Sequence, residues 1–155
     1  MNSTSISSKQ PLLQRYQIKQ ILIYGIKALC IFLLIYTAKE KIVDHERFLR
    51  GLQRIQFLND RALTISWLVP ISELAIALIL IIPQTQKLGL YLFTIMMSIF
   101  TLHISSMLLW AENKPCHCGG AIETLTWGQH LVFNIGFILI SIFGIYLHKN
   151  SNRKP

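Results

Sequence analysis

Two cysteines one residue apart, Cys116 and Cys118, stand in the polar stretch Lys114-Pro115-Cys116-His117-Cys118-Gly119-Gly120. A disulfide between them closes a small ring, and strain makes such a bond easier to reduce than a relaxed structural one. That suits a bond meant to open and close. Lys114 and His117 favour the thiolate, which is the attacking species, and the start of a following helix adds its dipole. Pro115 stiffens the approach, while Gly119 and Gly120 let the chain turn back. The same residues admit other chemistry. Two thiolates and an imidazole suit zinc or copper(I), with Met107 or another histidine completing the set. A static disulfide, or two unreactive thiols, would also fit the spacing. The remaining cysteine, Cys30, lies inside an apolar run and reads as a packing residue. Three cysteines do not make a disulfide framework.

The elements that must position this pair are long apolar runs. The 155 residues are 52% hydrophobic and only 14% charged, and the charges cluster between runs that are nearly free of them. One small soluble core could not hide so much apolar chain, so lipid must solvate much of it. Four runs, at about 18–38, 62–82, 88–110 and 127–147, each hold about 20 residues, enough to cross the hydrocarbon layer as a helix. No alternation of polar and apolar residues argues for a barrel. Tyr16, Tyr36, Trp67, Trp110, Trp127 and Tyr146 stand near run ends, as interfacial aromatics do. The expected fold is an all-α membrane protein, a bundle of four transmembrane helices. Residues 1–17 read as a mobile polar tail in front of an uncleaved first span, and 148–155 as a basic tail.

Between spans one and two, Phe48, Leu49, Leu52, Ile55 and Leu58 recur at helical spacing among interleaved charges. This predicts a short amphipathic helix on the membrane interface. The formal charge of +8 comes from residues that flank the apolar runs. That is the pattern of headgroup contact; no basic-aromatic reading surface points to nucleic acid. Four spans put both termini on one side and place 39–61 and 111–126 together on the other. Lys39, Lys41, Arg47, Arg50, Arg54, Arg61 and Lys114 on one side balance Lys9, Arg15, Lys19, Lys87, Lys149, Arg153 and Lys154 on the other, so charge bias sets no orientation.

Several polar side chains lie within the spans. Lys27 and Glu73 fall near the centres of spans one and two, at matching depths, so an ion pair between them is geometrically allowed. Otherwise Lys27 extends toward headgroups or Glu73 is held neutral. His103 in span three lies toward the cysteine side, as does Asn134 in span four. Trp127, His130 and Asn134 are spaced i, i+3, i+7 and share one helix face, a polar pocket beneath the cysteine loop if that face points inward. Intramembrane His and Asn also serve simply as interhelical glue.

The chain resembles the MauE/DoxX family of redox-associated membrane proteins, MauE most closely, over almost all of residues 18–147. Tyr36-Thr37-Ala38-Lys39-Glu40-Lys41-Ile42-Val43-Asp44 with Phe48, then Trp67-Leu68-Val69-Pro70-Ile71-Ser72-Glu73, then Pro115-Cys116-His117-Cys118-Gly119-Gly120 with Trp127, His130 and Asn134 carry the likeness in order. The resemblance implies a four-helix membrane protein linked to thiol-disulfide chemistry. It places the family's cysteine pair on Cys116 and Cys118 and its membrane acidic residue on Glu73. It further implies a thioredoxin-like partner and the maturation of methylamine dehydrogenase. The family loop often continues Phe-Gly after the second cysteine, where this chain has Gly119. The layout is also similar to the vitamin K epoxide reductase group, but that group has a second cysteine pair and loop 39–61 has none.

The reading that follows is a membrane thiol-disulfide redox protein. Cys116 exchanges with a thioredoxin-fold partner, Cys118 resolves the mixed disulfide, His117 and Lys114 tune the thiolate, and His130 relays protons. A membrane quinone fits as electron acceptor because the pair lies at the membrane edge. Disulfide exchange belongs in an oxidising compartment. With the resemblance, this implies a bacterial inner membrane with both cysteines outside the cytoplasm. The rivals are a non-enzymatic metal-binding subunit and a membrane anchor for a soluble oxidoreductase.

Overall fold

The computed structural model describes residues 10–53, 59–110 and 127–151, with side chains placed within 17–53, 59–106 and 128–149. The apolar runs become helices because nothing in them offers a better place for the backbone polar groups, which in lipid must be satisfied within the segment. In order they are α1 (Gln10–Val43), α2 (His45–Gln53), α3 (Ala62–Ile81), α4 (Gln86–Trp110) and α5 (Trp127–Ser151), with one 3₁₀ turn at Asn59–Arg61. Among the described residues four stretches are long and apolar enough to cross a membrane: Gln17–Val43, Asn59–Ile81, Gln86–Ser106 and Gly128–Lys149. The chain is an integral membrane protein, all-helical among the described residues. The helix bounds differ from the apolar runs most at α1, which starts at Gln10 and runs five residues past Ala38, since Lys39-Glu40-Lys41 is good helix-forming sequence with no breaker.

The spans close into a ring in which α1 packs on α3 and α5, and α4 packs on the same two. Cys30, Leu33, Leu34, Ile76, Ala77, Leu80, Leu90, Phe93 and Met97 form the buried core, with Phe133 and Phe137 of α5 against it. The outward faces are Leu, Ile, Val and aromatic residues, among them Ile21, Phe32, Ile71, Leu102 and Val132. Apolar side chains on both inner and outer faces are what a helix bundle in lipid needs. Serines and threonines on the spans return their hydroxyl hydrogens to carbonyls three or four residues back, as Ser72 does to Val69 and Thr101 to Met97. This satisfies them without a partner helix. Thr94 and Ser141 also meet across α4 and α5 at 2.8 Å.

The α3–α4 connection is tight. Ile82 is extended ahead of Pro83, as a residue before proline prefers. The Thr85 hydroxyl donates to the Ile79 carbonyl at 2.8 Å and so closes the end of α3. Gly89 lets α4 approach α3, since a Cβ there would stand 2.8 Å from the Leu80 side chain.

The amphipathic helix expected between spans one and two is present as α2. Leu52 is buried, Phe48 and Leu49 are half-buried, and Glu46 and Arg50 face outward. Ile55 and Leu58 lie outside the described residues. The junction is set by Asp44, whose carbonyl accepts from the amides of Arg47 and Phe48.

Candidate functional site

The last turns of α1, the stretch of α3 up to its middle and α2 bring a polar cluster together. Thr37 and Lys41 are four residues apart, so they share one face of α1. That face meets Glu73 near the middle of α3. The Glu73 carboxylate is 1% exposed, and its Oε1 accepts from Lys41 Nζ at 2.7 Å and from Thr37 Oγ1 at 2.9 Å. Lys41 is 11% exposed, and its ammonium lies 5.3 Å from the ring centre of Phe100 on α4 and 5.9 Å from that of Phe48 on α2. The ion pair is therefore walled by α1, α2, α3 and α4. Aromatic faces provide the partial negative charge that a desolvated ammonium lacks on its free side.

One turn and more toward the membrane surface, a second contact locks α2 to α3. His45 Nε2 lies 3.0 Å from Ser66 Oγ, and the imidazole stacks on Trp67 with ring centres 4.4 Å apart. The Ser66 hydroxyl hydrogen is directed at the Leu63 carbonyl at 2.7 Å. Its oxygen is then the acceptor, and His45 Nε2–H is the donor.

The geometry corrects one pairing. Glu73 does not meet Lys27. The Lys27 ammonium sits 4.1 Å from the ring centre of Tyr24, one turn along its own helix, and Glu73 is taken by Lys41. Lys41 lies beyond the apolar run, where polarity alone assigns it to the loop. The signal was the i, i+4 spacing of Thr37 and Lys41, which continues the buried face of Cys30, Leu34 and Ala38.

His103 is half-buried on α4, one turn beyond Phe100, and Asn134 is buried on α5. His130 is half-buried one turn before Asn134 and carries a polar or ring contact of its own. All three stand in the same half of the bundle as the Lys41–Glu73 pair. Lys114, Cys116, His117 and Cys118 lie outside the described residues, as does the side chain of Trp127. The helix ends that their segment connects, Trp110 of α4 and Trp127 of α5, belong to the end of the bundle that holds the polar cluster. Among the described residues no three His, Cys, Asp or Glu side chains converge as a metal site. Cys30, the described cysteine, is buried in the core.

A four-span helical protein with a buried acid–base pair under one membrane face is the class that these features define. A family model described as methylamine utilisation protein MauE matches residues 19–147, and the chain belongs to that family. No curated protein and no solved structure gave a match.

Proposed function

We propose that this chain is a membrane thiol-disulfide redox protein of methylamine utilisation, acting on the maturation of a disulfide-containing periplasmic enzyme such as methylamine dehydrogenase. Membership of the MauE family carries the reading, and the Cys116-His117-Cys118 motif gives it chemistry. In the dithiol form, the Cys116 thiolate attacks a disulfide of a thioredoxin-fold partner. A Cys116–partner disulfide forms and one partner thiolate leaves. The Cys118 thiolate then attacks the Cys116 sulfur, the Cys116–Cys118 bond forms and the second partner thiolate leaves. Two electrons have passed to the partner; the reverse sequence oxidises it. His117 and Lys114 stabilise the thiolates, and His130, at the start of α5, exchanges protons with them. The site faces the outside of the bacterial inner membrane, where disulfides persist.

The test is exchange with a thioredoxin-fold partner, followed by alkylating mass tags in intact cells and with purified protein. We expect Cys116→Ser to abolish exchange and Cys118→Ser to trap a mixed disulfide. Undiminished exchange by Cys116→Ser would sink the assignment.

A further inference from the structure

The Glu73 carboxylate is occupied on one side only. Oε1 takes two donors, whereas Oε2 is sealed from solvent and has no hydrogen-bond partner among the described residues. Among the described residues, the two donors that reach Glu73 are already engaged. The single Thr37 hydroxyl hydrogen is already divided between Glu73 Oε1 and the Leu34 carbonyl. The Lys41 ammonium is spent on Glu73 Oε1, on the Thr37 carbonyl at 3.5 Å and on two aromatic faces. A buried charged acceptor left bare is costly, by more than the ~1–3 kcal/mol of a neutral group.

The chemistry of a fitting ligand follows from this. It must donate a hydrogen bond, because Oε2 only accepts. It is neutral, because Lys41 already balances the Glu73 charge. It dissolves in hydrocarbon, because Glu73 lies well inside a membrane-spanning segment. It tolerates aromatic neighbours, because Phe48 and Phe100 flank the pair. Phe48 and Phe100, which face the Lys41 ammonium, are rotatable side chains and neither is fully buried.

We propose that Glu73 Oε2 binds the hydroxyl of a membrane-soluble hydroquinone and thereby selects the reduced over the oxidised form. A quinone carries carbonyl acceptors only and has nothing to offer a carboxylate oxygen. Tighter binding of the reduced form raises the potential of the bound couple, by about 30 mV for each tenfold preference in a two-electron reaction. Binding does not depend on the cysteines.

The experiment uses the full chain in lipid nanodiscs, with calorimetric titration of decyl-benzohydroquinone, decyl-benzoquinone and 1-decanol. The expected result is at least tenfold tighter binding of the hydroquinone than of the quinone, no comparable binding of 1-decanol, and loss of the preference in Glu73→Gln. Equal affinity for the two redox forms overturns the proposal, and so does 1-decanol matching the hydroquinone. The wild-type comparison decides even if Glu73→Gln fails to fold. The preference should persist in Cys116→Ser/Cys118→Ser. Disulfide exchange without the preference sinks this inference alone; the preference without exchange sinks the redox assignment alone.

Discussion

At the scale of the residue, the Lys41–Glu73 pair is the most demanding feature of the described chain. Neither charge is at home in a membrane, and each is tolerated through the other. The two partners are not equivalent. Lys41 has a long stem and some exposure, so without Glu73 it can extend toward the headgroups. Glu73 has no such escape. We therefore expect Lys41→Met to destabilise the protein by about 3–5 kcal/mol, the range for breaking a buried pair, and Glu73→Gln to cost less. The Lys41→Met/Glu73→Gln double variant should recover most of the first loss, because the uncompensated charge is gone. Unfolding titrations in micelles would measure all three. Equal losses in the two single variants, with no recovery in the double, would show that the pair is not coupled as the geometry requires.

At the scale of the element, hydropathy made the spans legible and hid what lies at their ends. Four apolar runs foretold α1, α3, α4 and α5, and the spacing of Phe48, Leu49 and Leu52 foretold α2. Glu73 stood out because a carboxylate in an apolar run is conspicuous. Its partner did not, because α1 continues through residues that look like loop when judged by polarity alone. His45 and Ser66 escaped for a related reason: their contact depends on how α2 folds back on α3, which no local pattern encodes. Packing between spans also rests on positions that composition does not rank. A Cβ at Gly89 would press on Leu80, whereas at Gly136 it would meet nothing within 4 Å. Gly89→Ala should thus destabilise the α3–α4 hairpin by about 1–3 kcal/mol through overpacking. Gly136→Ala should be neutral or stabilising by up to about 1 kcal/mol through helix propensity. Thermal unfolding of the two variants side by side would check the contrast, and similar losses in both would refute it.

At the scale of the whole molecule, the ring of spans is fastened unevenly. In its half near the α3–α4 turn Leu80, Leu90 and Phe93 are fully buried, and the other half carries the ion pair and the His45–Ser66 contact. The border between those two contacts on α3 is Pro70, buried inside the helix and without an N–H for the Ser66 carbonyl four residues back. The ladder thus lacks a rung between the part of α3 that holds α2 and the part that holds the core. Local opening is easiest where a hydrogen-bond network is thinnest. In deuterated buffer, amides at 66–69 should exchange ahead of those at 74–77, although both groups are helical and belong to one span. The surface-proximal turns, with the interfacial helix attached, would then open and close on their own clock while the half of the bundle near the α3–α4 turn stays shut.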